Sequence, residues 1–290
     1  MSTANALSAT KMDLIAALVQ RELKETASLT NFLTDYSNLA GKGVKQIEIP
    51  KLSSFEVRDR NFGALSNIES PLTDGTDVIA LNKNKIVTFA YDSADESQST
   101  IDYLMEATRR AASAHGRQVN SDIVDLWDAV AGFEARETVG DIAINDILDM
   151  REFLMENHAD MNRAALIIAA DQEKAMLKLA EFSRYEYRGN GTAPVVTGQI
   201  GFVYGVPVII NQQIPKSQAF MVEVSGSGIA FQRNPSVAEQ QEVRYGSGGR
   251  IVTVDQLYGL GGLQLGEASA DSGKSPLVAK LNDLSETTEI

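Results

Sequence analysis

Cysteine is absent from this 290-residue chain, tryptophan occurs once and histidine twice. Without thiols there is no disulfide framework, no thiolate metal site and no cysteine nucleophile, which fits a reducing compartment. The two histidines, His115 and His158, have no partner at metal-ligand spacing. No G-x-S-x-G turn is present to offer a serine to either of them. No apolar run approaches the roughly 18 residues that a membrane-spanning helix needs. The start, MSTANALSATKMDLIAALVQ, lacks the basic-then-apolar order of a secretory signal. No internal repeat is evident.

What is abundant is acid. The formal net charge is −13 and the pI about 4.7. A broad surface that neutralises nucleic-acid phosphates is therefore not expected, whereas enclosing nucleic acid without adhering to it is compatible with this balance. The acidic clusters DSADE and GDIAINDILD match no calcium loop and read as helix starts and solvated faces. Basic residues concentrate instead around one segment: Lys42, Lys45, Lys51, Arg58, Arg60, Lys83 and Lys85. They fit charge protection of exposed strands, or docking onto the acidic surface of a neighbouring copy.

Hydrophobic periodicity orders the chain. Met12, Ile15, Leu18, Val19 and Leu23, then Leu29, Phe32, Leu33, Tyr36 and Leu39, predict two amphipathic helices, the second ended by Gly41 and Gly43. As a pair they suit an arm more than a core. From Val44 to Tyr91 the period falls to two, around a turn-rich tip, RNFGALSNIESPLTDGTD. This predicts a long two-stranded ribbon for which the chain offers no obvious partner, and an isolated ribbon is marginal in water. The run from Glu96 to Gly132 has an almost unbroken helical stripe through Leu104, Ala112, His115, Val119, Ile123 and Trp127. It predicts a rod about 50 Å long, bent at Gly116 and stopped at Gly132. Beyond it lie a helix near Ile144–Asn157, a buried strand AALIIAAD, and a series of strands that includes AFMVEV, GIAFQ, EQQEVRY and RIVTVDQLYG. The small, polar, acidic tail from Gly266 is expected to be partly disordered or draped on the surface.

The glycines of GQIGFVYGVPVIINQQIP, Gly198, Gly201 and Gly205, do not have dinucleotide-loop spacing and lead into a strand rather than a helix N-terminus. They predict a hairpin, with Gly201, Gly205 and Pro207 shaping its turn and Pro207 on an edge strand. YGSGGR likewise reads as a turn between strands, not a phosphate loop.

This order of parts, an α+β chain with arm, ribbon, spine helix and returning strands, resembles the major capsid protein of tailed bacteriophages, the Hong Kong 97-like fold. The residues that carry the resemblance are QIEIPKLSSFEVRD and VIALNKNKIVTFAYDSADESQS for the ribbon, STIDYLMEATRRAASAHGRQVNSDIVDLWDAVAG for the spine, and AALIIAADQEKAMLKLAEF with GFVYGVPVIINQQIP for the central domain. The resemblance implies an N-terminal arm over 1–43 and an extended loop over 44–92. A peripheral domain then spans 93–162 and 237–265, an axial domain 163–236, and an acidic tail 266–290. It implies a shell subunit with no catalytic, cofactor or metal site, forming pentamers and hexamers of an icosahedral virion around double-stranded DNA. A separate scaffolding protein and a portal would be its other partners, with assembly in the host cytoplasm and no membrane. Contacts between copies are expected at Phe32, Tyr36, Lys51, Phe55, Val57, Arg58, Arg60, Phe62, Lys83 and Lys85. Two alternatives stand beside this: an encapsulin-like compartment, and a soluble α/β enzyme working through carboxylates.

Overall fold

The longest amphipathic run folds as helix α1, Tyr103–Val130, of 28 residues and therefore about 42 Å. The structure is a computed structural model, described over residues 17–23, 26–52, 74–92, 103–135, 141–178, 199–216, 218–241, 249–263 and 274–281. Eleven strands follow the period-two and continuously apolar segments. In chain order they are β1 Thr34–Asp35, β2 Gln46–Leu52, β3 Asp74–Asp92, β4 Ala131–Ala135, β5 Ala164–Ala169, β6 Gln199–Val203, β7 Val206–Asn211, β8 Ala219–Glu223, β9 Ser227–Gln241, β10 Gly249–Gly262 and β11 Ser275–Leu281. Two shorter helices, α2 Ile144–Glu156 and α3 Glu173–Lys178, complete the labelled elements.

The strands form a five-stranded sheet, β1-β9-β10-β3-β2, and a six-stranded sheet, β4-β11-β8-β5-β7-β6. The chain crosses between them at Val224–Gly226, where β8 ends and β9 begins. It is clamped there: Leu263 N–H donates to the Gly226 carbonyl at 3.0 Å, and the Ser275 hydroxyl lies 3.0 Å from that carbonyl and 2.9 Å from that of Leu263. One core serves both sheets. It gathers Val119, Ile123 and Trp127 of α1, Ile167, Phe220 and Val278 of the six-stranded sheet, and Ile229 and Tyr258 of the five-stranded sheet.

Several expectations change on folding. Gly116 is not a bend residue. A Cβ there would stand 2.7 Å from the Thr26 side chain, so the glycine lets the N-terminal segment cross α1 at close range. Gly132 does not stop the helix with a left-handed cap; it lies in β4, where a Cβ would meet the Ser275 carbonyl at 2.4 Å. The second predicted N-terminal helix is instead a 3-10 turn (Ser28–Phe32), the short β1 parallel to β9, and another 3-10 turn (Ser37–Leu39). Tertiary partners outcompete local helix bonds here: Leu29 N–H donates to Asn120 Oδ1 at 3.3 Å, Asn120 Nδ2 donates to the Thr26 carbonyl at 2.9 Å, and Tyr36 N–H donates to the Ile229 carbonyl at 2.8 Å. Val19, Leu23, Leu29 and Leu33 are buried in their own chain rather than left as an uncovered arm.

The ribbon also has a partner. From Asp74 to Ala80, β3 pairs with β2, and from Ala80 to Asp92 it pairs with β10. GIAFQ and the start of EQQEVRY, Glu239–Gln241, expected in two strands, lie in one strand, β9, whose register against β10 shifts between Asp255 and Leu257; the rest of EQQEVRY lies outside the described residues. Finally, the tail is not wholly draped on the surface: every residue of β11 is buried, between β4 and β8. Its Lys280 ammonium pairs with the Asp128 carboxylate of α1. The polar average of the tail conceals the apolar stretch PLVA inside it.

Two stability predictions follow from α1. Gly116→Ala should lower stability in chemical denaturation, despite the gain of about 1 kcal/mol that alanine brings to a free helix; Trp127→Ala should cost about 3–5 kcal/mol. A stabilised Gly116→Ala subunit would contradict the close crossing. His115 is 2% exposed, with Nε2–H donating to the Val254 carbonyl at 3.1 Å. Burial pushes its pKa below the usual imidazole value, against the opposing pull of Val254 and Asp255. The unfolded chain then binds the proton at a higher pH than the folded one. Stability should be full above about pH 6.5 and fall as pH drops below it. His115→Gln should flatten the slope between pH 7.5 and 5.5 in urea titrations.

Candidate functional site

Among the described residues, no three His, Asp or Glu side chains converge as a metal site would require, and no helix is long and apolar enough to cross a membrane. His115 and His158 lie apart in role. His115 is a core hydrogen-bond donor, and His158, at φ 59°, ends α2. Its N–H donates to the Met155 carbonyl at 3.1 Å, and Ala159 N–H reaches Leu154 at 2.9 Å, a Schellman-type stop.

The first exposed feature is the β6–β7 hairpin. Val203 faces Val206 across a two-residue turn in which Tyr204 has φ 50° and Gly205 φ 83°. Two consecutive left-handed residues make a type I′ turn, whose twist matches the strands. Gly205 is the turn residue expected from the sequence. Gly201, at φ 152°, sits outside the turn, at a register shift in β6. Pro207 is not on an edge strand: β7 lies between β5 and β6, and the proline is tolerated because β5 pairs only from Val208 onward. Among the described residues the edge on this side is β6. Phe202 is 54% exposed and Tyr204 43%, both large apolar surfaces at the tip. The Arg151 guanidinium of α2 stands over the Tyr204 ring at 5.9 Å and fixes its position.

The second feature is the ribbon and its root. Lys83 and Lys85 face α1, where their ammonium groups lie 3.9 and 3.3 Å from the Asp122 carboxylate. Asp122 is buried; it also accepts from Tyr258 Oη at 2.6 Å and Gln118 Nε2 at 3.0 Å. Burial and the hydrogen-bonded Asp122 push the Tyr258 phenol far above its usual pKa, which keeps it a donor. The two lysines thus tie the ribbon to the helix of the same chain. Phe32 packs against the shared core and Tyr36 against the cluster of Ile47, Ile79 and Leu81, again within one chain. Lys51 takes its place in β2 opposite Gly75, whereas Phe55, Val57, Arg58, Arg60 and Phe62 lie outside the described residues. Asp122, Tyr258 and Arg151 were not singled out from sequence. The only signal for Asp122 is a carboxylate beside Ile123, on the face of α1 that the apolar stripe predicts to be buried.

A third feature is a groove of about 650 Å³ between the 17–23 helical segment and β9, lined by Leu23, Leu33, Asn31, Phe231 and Pro235 among others. None of these three features brings together an acid, a base and a nucleophile. They are a tip, a limb and a groove.

Known proteins give this geometry its context. Residues 75–262, well over half the chain, match the phage capsid protein family. The fold is similar to that of a chain from Mycobacterium phage Che8, with TM-score 0.69 and 14% identity over 87% of this chain and 89% of that one. It is similar also to the capsid of Cyanophage P-SCSP1u, with TM-score 0.68 and 9% identity over 87% and 86%. The virus-like particle from Pyrococcus furiosus is similar at TM-score 0.61 and 10% identity, over 94% and 99%. No curated protein matches. With a family match that runs from β3 through β10 and an overall fold similar to these structures, the chain belongs to the phage capsid protein family and has the Hong Kong 97-like fold of a major capsid protein.

Proposed function

We infer that copies of this chain associate into pentamers and hexamers that close an icosahedral shell around double-stranded phage DNA, with no catalytic role. The observation that carries this is the distribution of uncovered apolar and backbone surface. Over Asp74 to Ile79 strand β3 is paired only with β2 among the described residues, and Phe202 and Tyr204 stand exposed at the other sheet's edge. A subunit that acted alone would gain nothing from either; neighbours would cover both. In this reading, α1 with the five-stranded sheet forms the peripheral part and the six-stranded sheet the axial part, its β6–β7 hairpin pointing to the capsomer centre. The net charge of −13 lets the inner wall confine DNA without holding it. A separate scaffolding protein and a portal complete the partners, the product is the virion, and assembly proceeds in the host cytoplasm. A second reading, an encapsulin-like compartment around a protein cargo, draws support from the likeness to the Pyrococcus furiosus particle.

The test is size and content. Size-exclusion chromatography with light scattering, followed by negative-stain microscopy, should show megadalton rings or particles, alone or with a scaffolding partner. A monomer or dimer under every assembly condition would overturn the shell reading and revive that of a soluble carboxylate enzyme. Ultraviolet absorbance of particles purified from infected cells separates DNA from protein cargo. Replacing residues 60–73 by a short Gly-Ser link should leave cooperative unfolding intact while abolishing particles; loss of cooperative folding would mean that this tip packs within its own chain.

A further inference from the structure

Strand β3 leaves a long edge open. Between Asn82 and Asp92 it pairs with β10 on one side, and among the described residues no strand lies on the other. The direction of its backbone is fixed by Leu81, whose N–H donates to the Lys45 carbonyl on the β2 side at 2.9 Å. Between Ala80 and Lys83 β3 carries one residue more than β10, and its side chains change face across this bulge. Leu81 packs with Ile47 and Ile79, whereas Lys83, Lys85 and Val87 face α1, so the pleat flips there. The even-numbered residues from Asn84 to Asp92 therefore aim their N–H and C=O groups at the open side.

Such an edge is a template for another strand, and chains that avoid pairing blunt theirs with prolines, bulges or projecting lysines. From Lys83 onward this one has none of these in effect. No proline occurs from Asn82 to Asp92, the register against β10 is continuous from Lys83 to Asp92, and both lysines are drawn to Asp122. Even-numbered residues form an uncharged outer face of Asn84, Ile86, Thr88 and Ala90, in which Ile86 is 65% exposed.

We propose that this edge pairs with the same edge of a second copy, antiparallel about a two-fold axis at Val87, joining two five-stranded sheets into one. The proposal rests on the shell reading for the presence of that copy. The register follows from the backbone and the charges. Centred on Val87, every residue whose backbone faces the open edge, Asn84 to Ala90 in even numbers, meets another such residue, and between them Lys85 lies opposite Phe89 and Lys83 opposite Tyr91. Neither lysine meets a lysine. Each Ile86 lies opposite a Thr88 of the other copy, in hydrogen-bonded pairs whose Cα atoms stand about 5.5 Å apart, within reach of a disulfide. The contact is isologous, so it closes on two copies and leaves the ribbon and hairpin free for other neighbours.

The absence of cysteine makes the test direct. In full-length chain carrying Ile86→Cys and Thr88→Cys, oxidation of assembled particles should give a covalent dimer on non-reducing gels. In a second arm, Ile86→Lys with Thr88→Lys places like charges opposite each other twice and should lower particle yield about tenfold. Ile86→Lys with Thr88→Glu places opposite charges there and should restore the yield, which a merely structural effect would not do. Normal particles without covalent dimers, or lysine and glutamate variants behaving alike, would overturn the edge contact and leave the shell reading standing. A wild-type chain that never associates would overturn both.

Discussion

The fold depends on Trp127 being closed off from water at the point where α1 meets both sheets. Its indole packs at 6.0 Å from the Phe220 ring of the six-stranded sheet, and its Nε1–H donates at 3.1 Å to Ser227 Oγ at the start of β9 in the five-stranded sheet. One side chain therefore supplies apolar area to one sheet and a hydrogen bond to the other, which suits tryptophan better than any other residue. Around it Leu29, Val119, Ile123, Ile229 and Val278 form a single core, so the sheets cannot slide independently. Close-packed interiors transmit such constraints because few voids are left to absorb them.

The polar interactions extend this joint outward. Asp122 alone would be costly to bury, but two ammonium groups, a phenol and an amide answer it. The result pins β3 to α1 at the root of the ribbon, so a limb that projects from the sheet leaves from a defined position. Lys280 and Asp128 link β11 to the same helix. Rigid roots suit the repeated subunit proposed above: if its ends make the contacts between copies, their geometry is only as exact as the roots allow.

Parts of this were legible in the chain. The stripe through Leu104, Ala112, Val119, Ile123 and Trp127 announced α1, and the alternation around Ile47, Ile49, Val87 and Phe89 announced β2 and β3. Gly205 between two apolar runs announced the hairpin turn. Less was legible where two demands compete. Leu29, Phe32, Leu33 and Tyr36 have helical spacing, yet Asn120 and Ile229 take the backbone groups that a helix would use. Asp122, Tyr258 and Arg151 were invisible as a site because their partners lie on other elements.

By itself the sequence determined the local periods, the turn positions, the acidic balance and, through the order of parts, the fold class. These rest on forces that act within a few residues: side-chain alternation, helix propensity and the conformations that glycine permits. Only tertiary structure decided that β10 covers half of the ribbon, that SPLVAKL becomes a central buried strand, and that Gly116 and Gly132 are there for close approach rather than for a bend or a stop. Each depends on a partner distant in sequence, Gly249 for Asp92 or Ser275 for Gly132, and a local pattern carries no information about which distant surface will come to meet it.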